Sequence, residues 1–365
     1  MPDLDGIRYS REDLLRRVGR AEQVAGVRLV ALEDGAERGV RVLEFRTGTG
    51  FEFDLIVDRA FDIGRCELGG RSLAWQSPTG FPGPWFYEPA GLGFLRGFGA
   101  GLLTTCGLDH AFATAEDTAA QYHYPAKPTE AYGLHGRLSG LPARLAGYGH
   151  EWRGDECVLY AEGEVMQAAV FGEQLLLRRR VEARLGESRL SVRDEVVNVG
   201  YDPTPHMFLY HVNLGWPVVD DGSQLLAPVT SVQTRGDYPA EGYRRMHAPQ
   251  RGYVEQVFEH ELAAEADGRV PIAVVNRRAD LGAYQVFRRD QLPHHFVWRM
   301  LGEGTYVVGI EPATNRPTDR HDARARGELI ELAPGESRRY ELELGALAGA
   351  EAIGQFAARV AALTP

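Results

Sequence analysis

Cysteine is scarce in this chain. Cys66, Cys106 and Cys157 are the only three in 365 residues, and they are far apart and odd in number. No CxxC pair occurs, which argues against a zinc knuckle or a thioredoxin-like motif and leaves three reduced thiols as the expectation. No stretch approaches the roughly 20 apolar residues of a membrane span. The opening residues, MPDLDGIRYSREDLL, lack the apolar core of a secretion signal, so a cytoplasmic protein is expected. Basic charge is also short: 40 Lys and Arg stand against 51 Asp and Glu, a net charge of −11. A nonspecific nucleic-acid binder needs a basic surface, as does a partner of anionic membranes; neither partner is expected. There is no HExxH pair, no P-loop ending and no internal repeat. No linker is long enough to separate domains. The expectation is a single domain over residues 1–365 with a core of about 25–348.

What is present is period-two alternation. Residues 27–35 (VRLVALEDG), 40–48 (VRVLEFRTG) and 51–59 (FEFDLIVDR) alternate apolar and polar between glycine-rich turns, as an antiparallel meander does. Residues 157–165, 173–184 and 188–200 repeat the pattern. LLLRRRVEAR invites a helical reading, but its neighbours on both sides favour strand. Two or three further strands are expected between residues 305 and 346, with Pro334-Gly335 as a turn. Helices are expected at residues 10–19, where Ser10 and Asp13 form a capping box, and at residues 349–363. The fold class is therefore all-β, a large antiparallel sandwich with a short N-terminal helix and few others. Residues 77–129, rich in Gly, Pro and aromatics, have the look of a long functional loop.

Four segments carry polar groups that need a reason. Leu95-Arg96-Gly97-Phe98-Gly99-Ala100-Gly101 is either a tight turn or a loop that aims the Arg96 fork into a cavity. Tyr132-Gly133-Leu134-His135-Gly136-Arg137 sets His135 between glycines, as a ligand or as an ordinary hydrogen-bonding histidine. In His206 to Gly215, His211 and Asn213 share one face of an apolar strand, and His206 lies on the other. Such a pair is costly unless satisfied. In Tyr306 to Asn315, Glu311 ends an apolar strand. Burial would raise its pKa towards neutrality, which suits a general base, and a salt bridge to an arginine is the plain alternative.

Taken in order, LRGFGAG, GLHGR, DEVVNVG, YHVNLG and VVGIEPATN resemble the motifs of the aldose 1-epimerase (galactose mutarotase-like) superfamily, in its poorly characterised branch. The resemblance spans about residues 25–348. It implies a galactose mutarotase-like supersandwich and an isomerase that interconverts sugar anomers without cofactor or metal. Glu311 would be the base and His211 the acid, facing each other across a cavity wide enough for a sugar ring. His135, Arg96, Asp109, His110 and Asn213 would bind substrate. Asp237 is the candidate for the family's sugar-binding carboxylate, and Asp109-His110 has no obvious family counterpart. His211 is followed by Val-Asn-Leu-Gly where the family's signature continues Tyr-Phe-Asn. The partner is a small sugar, and a homodimer is an expectation. A metal-assisted isomerase of a keto or acidic sugar and a non-catalytic sugar-binding module are the competing readings.

Overall fold

The alternating segments pair into two antiparallel sheets. The computed structural model describes residues 1–4, 6–119 and 128–364; residues 120–127 of the long loop lie outside them. Strand accounts for 47% and helix for 11% of the chain. The smaller sheet has eight strands in the order 144–153, 156–168, 174–184, 189–198, 337–348, 281–288, 269–276 and 224–226. The larger runs 229–234, 256–262, 294–302, 305–313, 209–214, 103–106, 62–68, 51–56, 41–46 and 26–31, with 71–72 added beside 62–68. LLLRRRVEAR lies within the strand Gln174–Arg184.

Alternation decides which side chains enter the core. Tyr210, Val212 and Leu214 of the strand Leu209–Leu214 join Val308 and Ile310 against Val181, Val192 and Leu342 of the smaller sheet. The odd residues Leu209, His211 and Asn213 occupy the other face. A second apolar cluster forms there from Phe94, Phe98, Phe112, Leu209 and Phe296. Residues 94–98 and 112 of the stretch read as a long loop thus cover this face, whereas its residues Leu103–Cys106 form a strand within the larger sheet. Ser10 caps the helix Arg11–Leu15 by accepting from the Asp13 amide, though the helix is shorter than residues 10–19. The C-terminal helix is Gly349–Ala361, and a helix at Arg320–Ala325 was not anticipated. All three cysteines are buried and unpaired. Among the described residues no helix is long and apolar enough to cross a membrane.

One polar network joins the sheets through this core. The fully buried Arg179 donates to both carboxylate oxygens of Asp194, at 2.8 and 2.6 Å. From the larger sheet it meets Asp62 Oδ1 and Thr105 Oγ1, each at 2.8 Å. Thr105 also donates to Asp62 through its amide and its hydroxyl. The Tyr210 hydroxyl donates to Asp194 at 2.7 Å. Burial pushes the Asp62 carboxyl up even beside Arg179, while its carboxylate neighbours hold the guanidinium charged. Removing one partner leaves buried charge uncompensated, so Arg179→Ala should cost about 3–5 kcal/mol in a urea titration. A loss within about 0.5 kcal/mol, the scale of surface substitutions, would contradict this role.

Candidate active site

His211 and Glu311 meet because their strands are neighbours. The register pairs Leu209 with Ala313 and Val212 with Ile310, which sets His211 opposite Glu311. Thr104 continues the row on one side and Phe296 on the other. His211 Nε2 lies 3.4 Å from Glu311 Oε1, with 6% and 7% of the two side chains exposed. This corrects the expectation of a ring-wide gap. Opposed residues of adjacent strands have Cβ atoms only about 4.5–5.5 Å apart, so a ligand must lie over the pair rather than between its members.

The neighbourhood is aromatic and dry. Phe98 packs edge-on to His211 with centroids 5.3 Å apart, and Trp298 does so at 5.4 Å. His135 stands perpendicular to His211 at 5.6 Å and carries Phe94 on its ring at 4.9 Å. Desolvation raises Glu311 from its ordinary 4.5 to about 8, with Glu255 adding to the effect. Desolvation lowers His211 to about 4, opposed by the Asn213 side chain. His135 is lowered well below its usual value by burial, then by His211 and His110. At neutral pH the 3.4 Å approach is therefore between a carboxylic acid and a neutral imidazole, and it is not an ion pair. His211 Nδ1 and Asn213 Oδ1 are both buried without a hydrogen-bond partner. A tautomer with its proton on Nδ1 suits that oxygen and leaves the Nε2 lone pair towards Glu311.

Two glycines make room for this arrangement. A Cβ at Gly309 would collide with Glu311 Oε1 and lie 3.2 Å from Trp298 Cβ. A Cβ at Gly99 would collide with the Gly80 carbonyl and the Phe81 ring. Gly99 and Gly101 of LRGFGAG thus serve close backbone packing, Gly101 against the Ile63 carbonyl, while Gly97 has room for a side chain. Arg59, which the sequence did not single out, anchors that segment by donating to the carbonyls of Ser139, Pro82 and Gly97 at 2.7, 3.1 and 2.7 Å.

The other expected ligands have different surroundings. Arg96 is 65% exposed and pairs with Glu88 at 3.4 Å, because the turn that buries Phe94 and Phe98 points it outward. Asp109 is buried; its carboxylate accepts from Gln167, and its carbonyl accepts from Arg320 at 3.0 Å. His110 bonds the Ala113 carbonyl at 2.8 Å, and burial lowers it to about 4. The Asn213 amide donates to the carbonyls of Gly101 and His211. Asp237 is exposed in the turn that follows Val229–Thr234. His206 is held by the Leu108 carbonyl and the Tyr340 hydroxyl. Glu255 was missed: it accepts from Trp298 Nε1 at 2.8 Å beside the site, and no sequence pattern marks it. Among the described residues no group of three or more His, Cys, Asp or Glu is placed to hold a metal ion.

The sequence model of the family described as "Domain of unknown function (DUF4432)" matches residues 37–346. No curated protein matches the chain. Solved structures share the fold. A Klebsiella pneumoniae protein provisionally called an aldose 1-epimerase superposes with a TM-score of 0.84 at 24% identity, over 93% of this chain and 88% of its own. A galactose mutarotase-like protein from Clostridium acetobutylicum gives 0.61 at 12% identity, over 88% and 98%. A galactose 1-epimerase from Lactobacillus acidophilus gives 0.55 at 12% identity, over 88% and 99%. The supersandwich is thus the galactose mutarotase-like fold.

The Glu311 shift makes a prediction that is independent of any activity. Between pH 4.5 and about 8 the folded chain keeps a proton that the unfolded chain has lost. The stability this group contributes is complete below 4.5 and is lost as pH rises through about 8. Glu311→Gln cannot ionise, so its Tm relative to wild type should be higher at about pH 9 than at about pH 5. An equal offset at both pH values would mean that Glu311 ionises as an ordinary glutamate.

Proposed function

The chain belongs to the DUF4432 family, and we propose that it is an isomerase of the aldose 1-epimerase kind, acting on the anomeric carbon of a sugar. One observation carries the reading: His211 and Glu311, two buried groups with opposed pKa shifts, lie 3.4 Å apart with His135 beside them. Together the pair holds one proton to give and one lone pair to accept it.

Anomer exchange needs both. A base takes the proton from the hydroxyl on C1. The C1–O5 bond breaks as an acid protonates O5, the open-chain aldehyde rotates about C1–C2, and the ring closes on the other face with the proton movements reversed. The two oxygens are bonded to the same carbon, so adjacent groups match them better than groups a ring apart. For Glu311 to be the base and His211 the acid, the proton shifts from Glu311 to His211 as sugar hydroxyls enter the dry site. Return of that proton closes the cycle, so no cofactor is consumed. His135 donates towards O5, and Glu255 accepts from ring hydroxyls at the rim. Phe94 and Phe98 seal the pair at rest, so entry requires their segment to lift.

The pair works while it holds a single proton. The pH profile of kcat/KM should be bell-shaped, with limbs near about 4 and about 8. Glu311→Gln should lower kcat about 10²–10⁴-fold in proton-NMR anomer equilibration, and His211→Asn similarly. The reading fails if both variants retain full activity.

A further inference from the structure

Three buried polar atoms at the catalytic pair lack a hydrogen-bond partner: His211 Nδ1, Asn213 Oδ1 and Glu311 Oε1. Sheet geometry puts their side chains together. His211 and Asn213 project from the same face of the strand Leu209–Leu214. Asn213 lies opposite Gly309, and Glu311 Oε1 leans into the space that a Cβ at Gly309 would fill. The Asn213 amide has one orientation. Its Nδ2 donates to the carbonyls of Gly101 at 3.2 Å and His211 at 2.9 Å, and a flipped amide would set oxygen against both. Its backbone is held as well, with the amide donating to the Leu102 carbonyl at 3.0 Å and the carbonyl accepting from the Trp75 amide at 3.1 Å. Oδ1 is thus left with free lone pairs on the face that carries the imidazole.

We propose that Asn213 is a positioning residue that fixes the His211 proton on Nδ1, so that Nε2 is the one ring atom able to take a proton from Glu311. Its consequence for catalysis rests on the anomerase reading above; the tautomer itself does not. A neutral imidazole has one N–H and one lone pair, and the partner of one nitrogen decides the state of the other. With the proton on Nδ1, Asn213 Oδ1 accepts it, and the Nε2 lone pair faces the Glu311 carboxylic acid at 3.4 Å. With the proton on Nε2, Nδ1 and Oδ1 would meet lone pair to lone pair in a dry site. Asn213 is also the side chain that opposes the desolvation of His211, whereas burial and Glu255 act on Glu311. A neutral acceptor suits the cycle. It steadies the imidazolium once Glu311 has given up its proton, yet it brings no charge to hold the imidazolium at rest, as a carboxylate would. Asn213 therefore acts through His211 and not on the sugar. Thr104, opposite His211 on its other side, already donates to the Ala100 carbonyl at 2.8 Å and is the rival acceptor.

The test is long-range proton–nitrogen NMR of the histidine-labelled protein, with the His211 signals identified by their loss in His211→Asn. In the wild type at neutral pH, without any sugar, Nδ1 should carry the proton and Nε2 none. Asn213→Leu removes the acceptor and both donors, and should move the proton wholly or partly to Nε2. Asn213→Asp loses the same donors but offers an acceptor whether or not it is ionised, so Nδ1 should keep its proton. Thr104→Val should leave the tautomer unchanged. In anomer equilibration Asn213→Leu should lower kcat roughly 10–100-fold with little change in KM. A wild type with its proton on Nε2 overturns the assignment before any variant is made. A tautomer that ignores Asn213→Leu, or responds to Thr104→Val instead, overturns it too. Loss of the Nδ1 proton in Asn213→Asp as well as in Asn213→Leu would mark a merely structural role and has the same force. If the tautomers behave as expected but no sugar is anomerised, the Asn213 assignment stands and the anomerase reading falls. If sugars are anomerised while the tautomer ignores Asn213, the anomerase reading stands and the assignment falls.

Discussion

A buried guanidinium holds the two sheets in register. Interdigitated apolar side chains favour a close-packed offset, and a directional polar network adds to that preference. Arg179 supplies one, because its donors reach Asp194 on its own sheet and Asp62 and Thr105 on the other. The fork geometry of arginine suits this task, since its five donors are fixed in one plane. Asp194 also accepts from Tyr210, the residue next to His211. The strand that presents the imidazole is thus tied from below by the same network that aligns the sheets. Rigid support of this kind is what a site with sub-ångström demands requires.

On that support, sheet geometry dictates the chemistry of the pair. Opposed positions on adjacent strands leave no freedom to separate His211 from Glu311. Two charged groups could coexist there as an ion pair only if hydration or further hydrogen bonds compensated the burial. Neither is available on a face closed by Phe94, Phe98 and Trp298. Desolvation therefore wins over Coulomb attraction, and both groups are neutral at rest. In the mechanism proposed above, the pair gains its ionic form when polar ligand atoms replace the lost water. Gly309 matters for the same reason, because any side chain there would push the carboxyl out of line with its partner.

The cover over the site is built from backbone contacts more than from side-chain specificity. Arg59 gathers three carbonyls from separate turns, and Gly99 lets two turns pass within contact distance. The outward side of this segment exposes Trp85, Phe86, Leu92 and Leu95, while its inward side carries Phe94 and Phe98. Its residues are thus divided between sealing the histidines and facing solvent. Arg96 falls on the solvent side of that division.

Much of the architecture was legible in the chain. Period-two alternation announced the strands, the Ser10–Asp13 box announced a helix start, and a carboxylate in an apolar strand marked Glu311 as a group whose burial would raise its pKa. His135 and His211 were legible as motifs, since glycine flanks and an apolar strand each leave a polar group in want of a reason. What pattern could not show was direction and neighbourhood. Whether Arg96 faces inward depends on a four-residue turn, and whether Asp109 is free depends on Arg320, 211 residues away. Glu255 and Arg59 look like any surface residues until distant strands bring Trp298 and three carbonyls to them. The separation of His211 and Glu311 was misjudged because it is set by strand register, a property of two segments about a hundred residues apart. Local sequence determines which residues must be buried and in what period; only tertiary pairing decides which buried groups share a dry space, and that shared desolvation sets their protons.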